Sequence, residues 1–117
     1  MKKIIWRLAL VASLLFLLRT WLGLPEVRQL YAVPHDKYVH VAVFFLVPCL
    51  LTWIARWPMW ILLCVPIFGA GVEEYLQSFE PGRSCDFADW EAGVIGVVAA
   101  CVLIALWRYW QQSRITR

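Results

Sequence analysis

Four apolar runs fill most of this 117-residue chain, at about residues 4–24, 37–56, 57–77 and 89–110. Each is close to the roughly 20 residues that an α-helix needs to cross the hydrocarbon core of a bilayer. The chain is 62% hydrophobic and only 16% charged. A soluble domain this small could not hide so much apolar surface in its core. Lipid removes the difficulty, because it solvates the outside of the bundle. The pattern predicts an all-α integral membrane protein, with four transmembrane helices in one small domain over residues 1–117. The net charge of +3 is small, and the basic residues form no stripe of the kind that nucleic acid requires.

The basic start Met1-Lys2-Lys3 followed by an apolar run also matches the front of a signal peptide. No small-x-small cleavage site follows and further spans do, so a first transmembrane helix is the better reading. Arg7 and Arg19 sit near its ends, where they can snorkel. Residues 24–35 read as a loop bracketed by Pro25 and Pro34. Asp36 suits a helix start, and Pro48 is expected to kink the second span. Trp57-Pro58 restarts the chain, since proline fits a first helical turn. The apolar stretch 59–72 is too short to cross alone, so the third span must extend through Glu73, Glu74 and Gln77. Residues 78–88 form a loop around the turn pair Pro81-Gly82. Asp89-Trp90-Glu91 opens the last helix, on which Ala92, Gly96 and Ala100 recur every four residues. That stripe suits close helix packing in lipid. The tail 111–117 is polar and basic. Trp6, Trp21, Trp57, Trp60, Trp90, Trp107 and Trp110 fall near span ends and fit interfacial belts. Cys49, Cys64 and Cys101 lie in apolar runs as small hydrophobes. Cys85 lies in a polar loop, no zinc-type spacing occurs, and no structural disulfide is expected.

The charges are unevenly placed. Four spans put both termini on one side with Lys2, Lys3, Arg7, Arg56, Arg108, Arg114 and Arg117. The other side carries Arg19, Arg28, Lys37 and Arg83. This bias predicts cytoplasmic termini. All eight carboxylates (Glu26, Asp36, Glu73, Glu74, Glu80, Asp86, Asp89 and Glu91) then fall on the outer side. Acids contribute little to orientation, so their concentration asks for another explanation.

Three helix ends from distant parts of the chain should meet there. Asp36, Lys37 and His40 open the second span, Glu74 and Gln77 close the third, and Asp86 and Asp89 open the fourth, with Arg83 in the loop before. Asp36 and His40 share a helix face, as do Glu74 and Gln77. The ordered set Asp36-Lys37-x-x-His40 with Phe44-Phe45, then Glu74-x-x-Gln77-x-Phe79-x-Pro81-x-Arg83, then Asp89 with Gly96, resembles the VanZ-like family. These are small bacterial integral membrane proteins whose founder is associated with low-level resistance to the glycopeptide teicoplanin. The resemblance covers residues 36–96, about half of the chain. It implies an envelope protein of the bacterial cytoplasmic membrane. One departure stands out: where the family usually carries Asn, four residues after Asp89, this chain has Gly93, so a polar role at that position is absent or moved.

Each polar residue also has a plain structural reading. Asp36 and Lys37 serve equally as a helix cap and an interfacial ion pair. His40 can simply hydrogen-bond a neighbouring helix, although a carboxylate-rich setting favours a site role. Glu74 lies inside the minimum spanning length and is the strongest candidate; its structural alternative is a buried pair with Arg83 or Lys37. Gln77 would orient a partner. Arg83 suits an anionic group or a loop tie to Asp86 or Asp89. Asp89 has the helix-cap alternative. Glu73, Glu80 and Glu91 read as interfacial or solvated. Three functions follow. The first is a site for the polar head of a membrane lipid or lipid-linked cell-wall precursor, bound by Asp36, Lys37, His40, Glu74, Gln77, Arg83 and Asp89. The second is a small intramembrane enzyme using His40 with Glu74 or Asp36 for acid/base chemistry, or a divalent cation held by Asp36, His40, Glu74 and Asp89. The third is a purely structural bundle. No established catalytic spacing occurs, no cofactor is identified, and the small interior is compatible with a homodimer.

Overall fold

The computed structural model describes residues 1–30, 36–81 and 86–117, without the side chains of Arg28, Leu30 and Asp36. The expectations for Arg83 and Cys85, and for the Asp36 side chain, therefore lie outside the described residues. Five helices and no strand occur among those described: α1 (Lys2–Leu22), α2 (Pro25–Leu30), α3 (Asp36–Ile54), α4 (Met59–Gln77) and α5 (Phe87–Ile115). Four of them, all but α2, are long and apolar enough to cross a membrane. The chain is an all-α multi-pass membrane protein with the expected four-span bundle.

Most helix ends shift by one or two residues from the sequence reading, and three differences have a clear local cause. Residues 25–30 form a short helix rather than loop, because Pro25 carries the φ angle of a first helical turn and needs no N–H there. Pro58 is the N-cap of α4 rather than its first residue, with extended backbone at φ −65° and ψ 153°. Finally, α5 runs five residues beyond Trp110. Gln111, Gln112 and Arg114 are good helix formers and no breaker intervenes, and the Arg114 guanidinium lies 4.3 Å from the Trp110 ring centroid.

The core is where α3, α4 and α5 meet. Leu62 and Val97 are fully buried beside Cys101, with Phe44, Leu51, Ile67 and Ile104 packed around them. Small residues on α5 set the spacing. Ala92, Gly96 and Ala100 are buried as expected, and Gly93, Val97 and Cys101 widen the buried face. Gly96 lies against the α3 backbone at Val41 and Phe45, and Gly93 against the Phe44 ring and the Ala70 methyl. The Phe44 ring thus occupies the space that a polar side chain at position 93 would require. Pro48 and Pro66 both lie inside helices and are buried. Pro66 cannot donate to the Leu62 carbonyl one turn earlier. The Cys101 thiol donates to that carbonyl instead, at 3.5 Å, from the neighbouring helix.

Two tryptophans of the expected belts prove to be packing residues. Trp57 packs on the core, and the Trp90 indole N–H donates to the Ile67 carbonyl at 3.3 Å. Gly71 lies beside that indole, its missing Cβ 3.5 Å from the ring nitrogen. Trp6, Trp21, Trp60, Trp107 and Trp110 remain exposed, as an interfacial role requires.

The first span stands apart. Only Val11 of α1 is buried, and no backbone contact joins α1 to α4 or α5. Side chains hold it at both ends. Arg7 donates to the Trp53 carbonyl at 3.0 Å and covers the Trp53 ring at one end. At the other, Arg19 Nε donates to Glu73 at 2.9 Å, and its Nη2 lies 3.3 Å from Glu80. Between these ties α1, α3 and α4 enclose a crevice of about 650 Å³.

Candidate functional site

The polar cluster forms at the end of the bundle where α3 and α5 begin and α4 finishes. Its position follows from helix periodicity. The buried face of α4 is Leu62, Pro66, Ala70, Glu74 and Gln77, a spacing of four, four, four and three that continues one stripe. Glu74 therefore enters the bundle for the same geometric reason as Leu62. Glu73, one residue earlier, turns toward α1. On α5 the buried stripe begins with Asp89 and continues through Gly93 and Gly96. On α3, His40 precedes the Val41 backbone that Gly96 touches.

His40, Glu74 and Asp89 are consequently brought together, at 8%, 4% and 8% exposure. His40 Nε2 lies 3.9 Å from Glu74 Oε1 and 3.7 Å from Asp89 Oδ2. Groups outside the triad hold the other carboxylate oxygens. The Asp86 backbone N–H donates to Glu74 Oε2 at 3.2 Å. Lys37 Nζ donates to Asp89 Oδ1 at 3.3 Å and lies 3.6 Å from Asp86 Oδ2. Lys37 is half-exposed and closes the solvent side of the triad.

Several sequence expectations change here. The N-cap of α5 is Asp86, which accepts from the Ala88 N–H at 2.9 Å, so Asp89 is released from capping and sits in the first turn. Lys37 pairs with Asp86 and Asp89, and Glu74 has the Asp86 N–H and His40 among its neighbours, while its expected alternative partner Arg83 lies outside the described residues. Gln77 is buried and donates to Glu73 at 3.3 Å. Glu73 and Glu80 are partners of Arg19. Arg19 does more than snorkel: it brings a fourth helix to the acidic end. Arg19, Glu73 and Glu80 were the residues that sequence reasoning missed. The available signals were a lone arginine at the acidic end of the first span and the i, i+4 pair Glu73 and Gln77.

Replacing Asp86 by alanine removes the cap together with the exposed 3.6 Å contact to Lys37, while the backbone N–H to Glu74 is retained. We expect a loss of about 1 kcal/mol, typical of a capping carboxylate, read as a modest fall of the thermal midpoint in detergent.

The crevice joins this cluster on the α1 side. Val43, Val47 and Pro66 are among its apolar lining residues, while Arg19, His40, Glu73 and Gln77 line it at the polar end. Gly69 also lines it, and a Cβ there would meet nothing within 4 Å. No protein-family model matches this chain, and neither does any curated protein or solved structure with which it was compared.

Proposed function

We propose that the protein is a lipid-binding component of the bacterial cell envelope, which seats the polar head of a membrane lipid or lipid-linked cell-wall precursor at its acidic end. The observation that carries this reading is the crevice under α1. It is apolar along its length, polar at one end, and of a size that suits a small ligand or an acyl chain. Its α1 wall lacks backbone contact with α4, so a chain can enter from the bilayer without unfolding the core. Arg19, His40 and Gln77 meet the head group.

The excess of Lys and Arg at the opposite end supports cytoplasmic termini in the inner membrane and an outward-facing acidic end. The resemblance of residues 36–96 to the VanZ-like family supports an envelope role and ties it to glycopeptide resistance. A second reading, a small intramembrane enzyme acting on a lipid-linked substrate, is favoured by the convergence of His40, Glu74 and Asp89 in a buried place.

Gly69→Leu tests the lipid reading. Gly69 lines the crevice and a Cβ there meets nothing within 4 Å, so the new side chain starts into open space, and replacing glycine inside a helix does not weaken the helix. Native mass spectrometry of detergent-purified protein should show a retained lipid adduct on the wild type. The Gly69→Leu protein, equally stable, should lose it at least ten-fold. An adduct unchanged by the plug, or no adduct on the wild type, would overturn the reading.

A further inference from the structure

The geometry points to a divalent-metal site formed by His40 Nε2, Glu74 Oε1 and Asp89 Oδ2. Three donor atoms from three helices converge, all within 4.8 Å of one another and all on side chains at least nine-tenths buried. The two separations from Nε2, 3.7 and 3.9 Å, are too long for direct hydrogen bonds. They bracket a space the size of one ion. A metal held at about 2.0–2.2 Å from nitrogen and oxygen donors keeps neighbouring ligands roughly 3.4 Å apart in tetrahedral geometry. The two separations from His40 need to contract by only a few tenths of an ångström to reach that spacing, and the carboxylates already lie within 4.8 Å of each other.

The surroundings are arranged as outer partners of metal ligands commonly are. Each carboxylate has one oxygen fixed from outside the triad, Glu74 by the Asp86 N–H and Asp89 by Lys37. The remaining oxygen of each is the one nearest His40. Neither tie therefore competes for the converging donors. Donor chemistry gives the same direction. Two carboxylates this deeply buried beside an imidazole are the donor types that a divalent cation takes. One imidazole nitrogen and two carboxylate oxygens match zinc best, with manganese next.

Three ligands leave a coordination position open. His40 also lines the crevice, so that position and the polar end of the crevice share one compartment. The metal would there meet an anionic group such as a lipid phosphate. This last step rests on the lipid reading, whereas the metal site itself does not.

The test uses the full chain in detergent, stripped with a chelator and titrated with Co²⁺ as a visible surrogate for Zn²⁺. Wild type should take up one equivalent with absorption bands of a low-coordinate ion, and Zn²⁺ should displace it. The near-isosteric variants Glu74→Gln and Asp89→Asn, checked for a folded thermal transition, should each weaken uptake about 100-fold or more, beyond the 10–100-fold typical of losing an outer partner. Gly69→Leu should keep full Co²⁺ uptake even where it loses lipid, which separates failure of this site from failure of the crevice. Folded wild type that takes up no Co²⁺ would overturn the proposal, whatever the variants do. So would uptake unchanged in both ligand variants.

Discussion

Gly96→Ala is expected to destabilise the bundle by at least about 3 kcal/mol, the upper end of what an added methyl costs in a packed interior. A Cβ at this position would fall on the Val41 carbonyl oxygen and within 2.9 Å of the Phe45 nitrogen. Both are backbone atoms of α3 in mid-helix, so neither can turn aside as a side chain would. The two helices would have to separate, and α3–α5 is the most extensive helix pair in the protein. Separation would also carry His40, adjacent to Val41, away from Asp89. The thermal midpoint in detergent should fall sharply and accumulation in the membrane should drop. Gly93→Ala is the internal comparison. Its Cβ would meet side-chain atoms, the Phe44 ring at 3.1 Å and the Ala70 methyl at 3.3 Å. These can yield, so the loss should be well under half as large. Equal stability of Gly96→Ala and wild type would contradict the close α3–α5 approach.

His40→Leu is expected to cost about 1–3 kcal/mol, the range for taking a polar partner away from buried groups. The substitution leaves the Glu74 and Asp89 carboxylates near each other, nine-tenths buried, with Lys37 held to Asp89. Leucine fills a similar volume, so the loss would be electrostatic rather than a packing defect. Adding Glu74→Gln to His40→Leu removes one of the two facing charges, and stability should return by a large part of the loss. Thermal melting of the single and double variants measures both steps. A single variant as stable as wild type would mean that Glu74 and Asp89 do not depend on His40 as a polar neighbour.

The spans were legible because their cause is local. Apolar length decides that 59–77 crosses a membrane, and the same length argument forces Glu74 to membrane depth. Even the inward turn of Glu74 is written in the sequence, through the spacing of Leu62, Pro66 and Ala70 before it. The small-residue stripe on α5 was visible too, although Gly96 and Ala100 do not reveal which helix they admit. Boundaries were less legible at Pro25 and Asp89. There a few tenths of a kcal/mol in capping and propensity decide between loop and helix. Asp86 took the cap that Asp89 could equally have provided. That choice freed a carboxylate for the triad.

The sequence by itself determined that this chain is a four-span helical membrane protein with its carboxylates gathered at one end. Burial in lipid leaves so apolar a chain no other solvent, and the charges mark where the spans stop. Only the tertiary structure decided which charges meet. His40, Glu74 and Asp89 are separated by 34 and 15 positions in the chain. Their convergence depends on the register between α3 and α5 that Gly96 sets. Arg19 met Glu73 rather than lipid head groups because α1 docks on α3 with its Arg19 end beside α4. Pairwise distances between helices arise from packing, and no local pattern encodes them.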